Sequence, residues 1–507
     1  MNKLLVIIII LCSINLFAQK STNSLHNTEF WKGNPSLELL KTEIAKGNNP
    51  LEGNQMHMDA ATLAINNNAS TEVIQFLLSQ PGIELNKAGH EKRTYLHWAS
   101  MRGNVAIVDF LIKKGANIQV EDEHDLSPLY FAINNGSCSK ELIDLFLKAG
   151  LDPQKKYKDG ANLLLIAAPF DTNLEICNYL TSKGISIQSV DDQGATAVDY
   201  AARKGNIAGM KALLDKGVKG TNQALLMAAQ GTRREANGVD VYRYLIEALK
   251  LKTTVTDKAG NSPLHLITRK QNQAEVAAYL LSKGADANAR NVDGDNVLML
   301  AAAGRDTELV KTVLPHTKQI NTQNSKGVSA LCAAVANSNI EIIRLLIDNK
   351  ADIQVTDKAG NHLGYYLMQS YRAAGGRGGR AAGNTPQQSP LDAFNEKLQL
   401  LQSKGLELSS PQKDGSTLLH YAATKGDVQL AKSIYALGGI DINAQNDDGQ
   451  TALHRAAITA QNDQILKYLL SIGADKTIKT SFDETAYDLL KNNEYFRKQN
   501  IDSSFLK

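Results

Sequence analysis

A short motif, Thr-x-Leu-His, recurs along this chain at a nearly fixed spacing. Copies that begin with threonine or serine occupy residues 94–97, 262–265, 417–420 and 451–454. Weaker copies fill the intervals, and the leucine position advances by 33 residues from Leu96 to Leu129 and by 35 residues from there to Leu164. Self-similarity at such a period indicates a stack of small structural repeats, none of which can bury its apolar face alone.

Each position of the repeat has a physical reason. A glycine before the motif, as at Gly260 and Gly449, permits the positive φ of a tight hairpin between repeats. The Ser or Thr accepts a hydrogen bond from a free backbone N–H at the start of a helix, and a proline such as Pro263 fits the next position because no donor is needed there. Alanine pairs after the motif let neighbouring helices approach closely, and a glycine such as Gly284 ends the second helix.

The pattern resembles that of the ankyrin-repeat family, Asp-x-x-Gly-x-Thr-Pro-Leu-His-x-Ala-Ala with a second helix that ends in Leu-Leu-x-x-Gly-Ala-Asp. Residues 257–286 and 448–475 follow it closely, and the resemblance runs from about residue 53 to residue 490. It implies an all-α ankyrin-repeat solenoid of about twelve helix-turn-helix repeats with hairpin fingers. It also implies that the motif histidines hydrogen-bond to finger backbone and to the capping hydroxyl; these are His97, His265, His420 and His454.

Departures from the repeat predict the domain boundaries. The repeat near residues 224–229 lacks a finger before it and has a long loop, residues 231–240, between its helices. We predict the following segments: a signal peptide at 1–18, an N-terminal cap or degenerate repeat at 19–52, ankyrin repeats at 53–371, a disordered Gly/Arg/Pro-rich insertion at 372–390, further ankyrin repeats at 391–484, and C-terminal capping helices at 485–507.

The insertion interrupts one repeat. A step of 55 residues separates Gly364 from Leu419, where ~34 are expected. The extra residues include Gly-Gly-Arg-Gly-Gly-Arg at 375–380, a composition that cannot form a core. At 362–365 the motif reads His-Leu-Gly-Tyr, so we expect a weak joint in the stack there. RNA contact through the two arginines is an alternative, but the lack of flanking aromatic residues beyond Tyr371 favours a surface loop without nucleic acid.

The first 18 residues have the features of a secretory signal: Lys3, an apolar run at 4–11, and Ala18 before the expected cleavage point. The run is shorter than the ~20 residues that span a bilayer, which argues against a membrane anchor. We therefore expect an exported, periplasmic protein with no membrane span after cleavage. The formal net charge of +3 gives no bulk attraction to nucleic acid or to an anionic membrane.

Catalytic and metal-binding patterns are not evident in the sequence. Cys138, Cys177 and Cys332 lack Cys-x-x-Cys spacing and lie more than a repeat apart, which indicates neither a disulfide framework nor a zinc site. The acidic run at 121–125 is expected to be the solvated tip of a finger. We predict no catalytic residue, no metal and no cofactor.

The family resemblance also implies where a partner would bind, because the two residues after the alanine pair line a concave groove in ankyrin repeats. The predicted partner-binding residues are Met101, Arg102, Phe170, Arg203, Lys204, Arg269, Lys270 and Lys425. This register holds cations and no acid, which favours a partner with an acidic surface. The alternative is that cations near the C-terminus of a helix offset the helix dipole in any protein.

These features favour a non-enzymatic scaffold that binds a protein partner in an exported compartment, with inhibition or protection of an envelope enzyme as its suggested role. Two alternatives stay open: an enzyme whose site lies on an inserted loop, and a purely structural spacer. An enzyme would need an acid, a base and a nucleophile that converge in a pocket, and the sequence offers no such set outside the repeat positions.

Overall fold

The computed structural model of the chain describes residues 23–233, 235–372, 389–499 and 501–507. The predicted signal peptide and residues 373–388 of the predicted insertion lie outside this part of the chain. Contacts divide the chain into two units. The first unit consists of the described residues up to Ala202 together with Asn206–Thr221. The second consists of Arg203–Gly205 and the described residues of Asn222–Lys507.

The first unit is built from pairs of short α-helices. We call the odd-numbered helices from α3 onward inner helices and the even-numbered ones outer helices. The helices of this unit are α1 (Thr28–Lys32), α2 (Leu37–Ala45), α3 (Ala60–Asn66), α4 (Thr71–Leu78), α5 (Tyr95–Met101), α6 (Val105–Lys113), α7 (Pro128–Asn134), α8 (Lys140–Lys148), α9 (Leu163–Ala167), α10 (Glu175–Ser182), α11 (Ala197–Ala202) and α12 (Ile207–Asp215).

The second unit continues the same alternation of inner and outer helices. Its helices are α13 (Gln223–Gln230), α14 (Val239–Arg243), α15 (Pro263–Ile267), α16 (Ala274–Ser282), α17 (Val297–Ala302), α18 (Thr307–Val313), α19 (Ala330–Asn337), α20 (Ile340–Asp348), α21 (Leu363–Ser370), α22 (Pro390–Ser403), α23 (Leu418–Lys425), α24 (Val428–Tyr435), α25 (Ala452–Thr459), α26 (Gln464–Ser471), α27 (Ala486–Asn492) and α28 (Glu494–Gln499).

The predicted all-α fold is confirmed. Extended pairings in the described residues are isolated β-bridges, such as Val190 with Thr196 in the first unit and Gln323 with Ser329 in the second. These bridges close the fingers, the hairpins that lead into the inner helices. Within the described part of the chain, α3 to α12 form five pairs in the first unit and α13 to α26 form seven pairs in the second. In sequence, α1 and α2 precede the pairs of the first unit, and α27 and α28 follow those of the second.

Apolar periodicity explains why the pairs stack. The motif leucines of the second unit are fully buried, as Leu264 and Leu298 show, and neighbouring inner helices such as α17 and α19 contact each other directly. The alanine pair Ala456 and Ala457 on α25 is also completely buried, which lets α23 and α25 approach closely. Each repeat therefore hides its apolar side only because the next repeat covers it.

The fingers are joined to one another by backbone hydrogen bonds. In the second unit the N–H of Val292 donates to the carbonyl of Ala259 in the preceding finger at 2.9 Å. In the first unit the N–H of Asp192 donates to the carbonyl of Asp159 at the same distance. The stack is thus held together by the buried helix faces and by direct contacts between fingers.

Three of the four motif histidines, His97, His265 and His420, connect their inner helix to the next finger, as the family resemblance implied. The prediction is wrong in part for His454, which accepts the N–H of Thr451 on Nδ1 at 3.1 Å but whose buried Nε2 makes no hydrogen bond to the described residues. The Nδ1 atom of His97 accepts a hydrogen bond from the backbone N–H of Thr94 at 3.1 Å, so the proton is on Nε2. That Nε2–H donates to the carbonyl of Leu126 in the following finger at 2.9 Å. His265 and His420 make the same pair of contacts. Burial lowers the pKa of all three imidazoles, which favours this neutral form.

Where the next finger is missing, an aspartate takes the place of the histidine. Asp199 occupies the histidine position of α11, and its carboxylate accepts hydrogen bonds from the N–H of Thr196 at 2.9 Å and from the N–H of Thr221 at 2.7 Å. Burial raises the pKa of Asp199 to about 6, against the effect of these hydrogen bonds. The carboxylate fixes the short linker that replaces a finger in this repeat.

The joint that the sequence predicted to be weak keeps an imidazole contact by another route. His362, the N-cap of α21, accepts the N–H of Gly364 on Nδ1 at 3.0 Å, and its Nε2 lies 3.1 Å from the carbonyl of Ser410. One histidine therefore replaces both the capping hydroxyl and the motif histidine. An added Cβ at Gly364 would lie 2.7 Å from the ring of His362, so glycine is needed there.

Replacing Gly327 by alanine should lower the thermal midpoint of unfolding more than replacing Gly284. Both glycines have positive φ, 82° and 86°, and a side chain there costs about 1 kcal/mol. An alanine Cβ at Gly327 would also lie 2.5 Å from the N–H nitrogen of Lys358 in the next finger, whereas nothing lies within 4 Å of the one at Gly284. Circular dichroism melts of both variants measure the difference, and equal losses would contradict a finger-to-finger contact.

Acidification should destabilise the protein through its buried histidines. The folded-state pKa of these imidazoles lies below the unfolded value of ~6.5, so the unfolded chain binds protons first as pH falls below that value. The stability is present above ~6.5 and is lost as pH decreases toward the folded pKa. A His420→Leu variant, unable to titrate there, should be less stable at pH ~7 but should lose less of its melting temperature on acidification. A loss as steep as that of the parent would contradict the assignment.

Candidate functional site

Helical geometry decides which side chains of an inner helix face solvent. Counted from the N-cap residue, positions N4, N7 and N8 lie on one side because they are three and four residues apart. On α25 the N-cap is Thr451, and these positions hold Arg455, Ile458 and Thr459. Arg455 is half-buried and the other two are exposed. We call the N4, N7 and N8 positions of the inner helices the open face.

In the first unit the predicted binding residues lie on this open face. Met101 and Arg102 occupy N7 and N8 of α5, and Phe170 occupies N8 after α9. Arg102 is exposed, and Met101 and Phe170 are half-buried. The carbonyl of Met101 accepts a hydrogen bond from the hydroxyl of Ser137 in the following repeat. These residues therefore belong to one continuous run of neighbouring repeats, α5 to α9.

In the second unit the predicted cations occupy the corresponding positions with different exposure. Lys204 and Arg269 are exposed, and Arg203 is half-buried. The backbone carbonyl of Arg203 accepts a hydrogen bond from the side-chain amide of Asn237 at 3.1 Å. Lys204 and Arg269 are thus the predicted residues of this unit whose side chains are most accessible to a partner.

Two of the predicted lysines contact backbone carbonyls. The ammonium group of Lys270 donates to the carbonyl of Thr232 at 2.5 Å, and that of Lys425 donates to the carbonyl of Tyr371 at 3.0 Å. Burial lowers the pKa of both lysines. Carbonyls near the end of an inner helix lack a helical partner, and a cation is a favourable donor to them. For these two lysines, stabilisation of the C-terminal end of an inner helix therefore explains the positive charge.

Lys397 on α22 also donates to a backbone carbonyl, and this contact was not predicted from the sequence. Its side chain is 8% exposed, and its ammonium group donates to the carbonyl of Val335 at 3.0 Å. Burial, with a smaller contribution from the nearby Arg305, lowers the pKa of Lys397 to about 8. Because Lys397 follows the insertion, its position could not be counted from the repeat.

The N4 row of the open face was not among the residues predicted from the sequence. This row holds Trp98 and Phe131 in the first unit, and Tyr366, Tyr421 and Arg455 in the second. Trp98 and Tyr366 are each 8% exposed, whereas motif leucines at N2 are fully buried. The signal was present in the sequence, because N4 is the variable residue directly after the motif histidine.

A stacked arginine supports the N4 pair of the first unit. The guanidinium of Arg93 lies 4.3 Å from the ring centre of Phe131 and 5.3 Å from that of Trp98. Its Nε donates to the carboxylate of Asp122 at 2.8 Å. Asp122 is buried, so the prediction of a solvated acidic tip is wrong for this residue. The ion pair with Arg93 holds the finger against the aromatic rings.

The described residues contain no cluster of side chains suited to metal binding. Their histidines, cysteines and carboxylates do not gather in threes at a geometry that could hold a metal ion. Cys138, Cys177 and Cys332 are free thiols. Burial raises the pKa of Cys138 to about 12 and also raises that of Cys177, so neither thiol is activated as a nucleophile.

Comparison with known families agrees with this geometry. A family model for ankyrin repeats matches residues 32–122, 58–157, 129–224, 272–357 and 392–480, which together make up well over half of the chain. None of the described helices combines the length and the apolar character that crossing a membrane requires.

Several relatives share the repeats. Palmitoyltransferase AKR1 of Lachancea kluyveri is 27% identical over 216 residues, which cover 42% of this chain and 24% of that protein. The human transient receptor potential cation channel subfamily A member 1 is 29% identical over 233 residues, 44% of this chain and 20% of the channel. The ankyrin repeat protein FPV223 of fowlpox virus is 30% identical over 138 residues, 27% of this chain and 93% of the viral protein.

The matches fall into two kinds. The chain spans about a quarter of the palmitoyltransferase and about a fifth of the channel, so these two share a repeat region with it. The viral protein is matched over nearly its whole length. With the family match, the paired helices and the histidine contacts between repeats, the chain belongs to the ankyrin-repeat family, whose repeats serve protein–protein interaction.

Proposed function

We propose that this protein is an exported, non-enzymatic scaffold that binds a partner with an acidic surface through the open face of its inner helices. One observation carries the proposal. The N4, N7 and N8 positions of the described inner helices include lysines and arginines but no carboxylate, although the whole chain has nearly equal numbers of acidic and basic residues. An acidic partner would meet no repulsion at these positions.

The charge pattern needs an explanation beyond helix ends. The helix dipole acts within the last turn, so it accounts for cations at N7 and N8, and carbonyl contacts account for Lys270 and Lys425. The helix dipole does not account for Arg455 at N4, and it does not account for the absence of acidic residues from the N4 row. Arg102, Lys204 and Arg269 are exposed, which is what recognition requires. Arg102 on the open face of the first unit, and Lys204, Arg269 and Arg455 on that of the second, are the best candidates for contact with a partner.

The chemistry of the buried groups supports a scaffold rather than an enzyme. The imidazoles of His97, His265 and His420 use both nitrogen atoms for backbone contacts, so they are not available as acids or bases. The resemblance to a palmitoyltransferase covers about a quarter of that protein and gives no catalytic residue to this chain. Inhibition or protection of an envelope enzyme is the role we propose for the scaffold.

Reversing the exposed cations should abolish partner capture. In the variant Arg102→Glu, Lys204→Glu, Arg269→Glu, repulsion of an acidic surface should reduce the recovered partner by about tenfold or more. The measurement is affinity purification from envelope extract with quantitative mass spectrometry. The matched control carries the same charge change on exposed residues in or directly after the outer helices, Lys114→Glu, Lys148→Glu and Arg344→Glu.

Capture by this control should equal that of the parent, and both variants should keep the parent's circular dichroism spectrum. If the open-face variant captures the partner as well as the control does, the open face is not the binding surface.

The proposed export has its own test. Protein purified from the envelope fraction of its native cell should begin at Gln19, because cleavage is expected after Ala18. Amino-terminal sequencing gives the answer directly. A chain that retains Met1, or that is recovered in the cytoplasm, would contradict export.

A further inference from the structure

The open face of the second unit changes character along neighbouring inner helices. Helix α17 presents Leu300 at N4 and Ala303 at N7, and helix α19 presents Ala333 and Ala336 at N4 and N7. The next helices present tyrosine rings, and α25 presents Arg455 and Ile458. Each of these helices contacts the next. We call Tyr365 and Tyr366, at N3 and N4 of α21, together with Tyr421, at N4 of α23, the tyrosine wall.

The tyrosine wall is held in place by its own contacts. The ring of Tyr365 meets the ring of Tyr366 edge to face, with centres 5.3 Å apart, and meets the ring of Tyr421 in the same way at 5.8 Å. The hydroxyl of Tyr366 donates to the carboxylate of Asp357 at 2.7 Å. Tyr365 and Tyr421 are half-buried, so part of each ring meets solvent. Rings fixed in this way lose little conformational entropy when a ligand packs on them.

A cation, Arg455, lies on the inner helix next to the tyrosine wall. Arg455 is half-buried on α25, the inner helix after the one that carries Tyr421. Burial raises the pKa of Tyr421 to about 12, the carboxylate of Asp414 adds to this rise, and the charge of Arg455 opposes it. The carboxylate of Asp414 accepts a hydrogen bond from the hydroxyl of Ser416 at 2.9 Å. Lys425 adds a second positive charge at N8 of α23, and the N4, N7 and N8 positions of α17 to α25 carry no acid. The surface therefore joins apolar area to positive charge.

We infer that this part of the open face binds a segment of the protein partner in which an aliphatic or aromatic side chain lies next to a carboxylate. The apolar side chain packs on the half-buried rings of Tyr365 and Tyr421, which contact each other edge to face. The carboxylate pairs with the guanidinium of Arg455. Tyrosine and arginine are the residue types that contribute most to binding energy in protein interfaces, and a planar guanidinium matches a carboxylate. This inference rests on the proposed function and specifies the chemistry of the partner.

A phage-displayed library of random peptides, selected on the immobilised full chain, provides the probe. The enriched peptides should share an apolar residue next to Asp or Glu. Fluorescence anisotropy with the most enriched peptide should show that Arg455→Glu weakens binding by about tenfold or more, and that Tyr421→Leu weakens it by a similar factor. A second selection on the Arg455→Glu variant should enrich Lys or Arg in place of the acid.

The control is Arg344→Glu on α20, an exposed outer-helix arginine with the same charge change, which should bind the peptide as the parent does. A circular dichroism melt of each variant shows that it is folded. Selection without enrichment, enrichment of peptides that lack an acid, or an equal loss in the Arg344→Glu control would overturn the inference. If reversal of Arg102, Lys204 and Arg269 still abolished partner capture in that case, the proposed function would stand and the assignment of this segment alone would fail.

Discussion

The structure depends on the fact that one helix pair is too small to bury its own apolar face. The motif leucines, such as Leu264 and Leu298, reach complete burial because a neighbouring pair covers them. This requirement uses nearly every position of an inner helix: N1 and N2 for the core, N3 for the contact to the next finger, and the alanine pair for close approach. Positions N7 and N8 are mostly half-buried or exposed, whereas several N4 side chains, such as Trp98 and Tyr366, are only 8% exposed. Differences in recognition between such proteins are therefore confined to this small set of side chains and to the loops beside it.

The contact from an inner helix to the next finger is a second constraint, and the chain meets it with different chemistry. A histidine such as His420 serves where a finger follows, because a neutral imidazole can accept from one N–H and donate to a carbonyl at once. Asp199 serves where two N–H groups need an acceptor and no finger follows. His362 serves from the N-cap, and Gly364 makes room for its ring. Where the residue at the motif position differs from histidine, the inner helix therefore still contacts the segment that follows, but through different donor and acceptor atoms.

Much of this could be predicted from the sequence, for a physical reason. Repeat period, helix caps and glycines with positive φ are local, and many copies of the same unit confirm one another, so the all-α repeat fold was predictable. The atoms that long side chains contact could not be predicted in this way. Lys270 and Lys425 were assigned to the binding surface by their position, yet their ammonium groups reach carbonyls of Thr232 and Tyr371. Asp122 was assigned to solvent, and it lies buried against Arg93 because the two come from neighbouring fingers.

The cations of the open face have two separate origins, and position distinguishes them. At the end of an inner helix, a lysine that reaches a backbone carbonyl stabilises the fold whether or not a partner exists. At N4, in the middle of the helix, the backbone carbonyls are already paired, so a half-buried charge such as that of Arg455 has no such reason to be there. A cation at the helix end therefore gives little information about a partner, because the fold already explains it, and the row next to the motif histidine is the better guide.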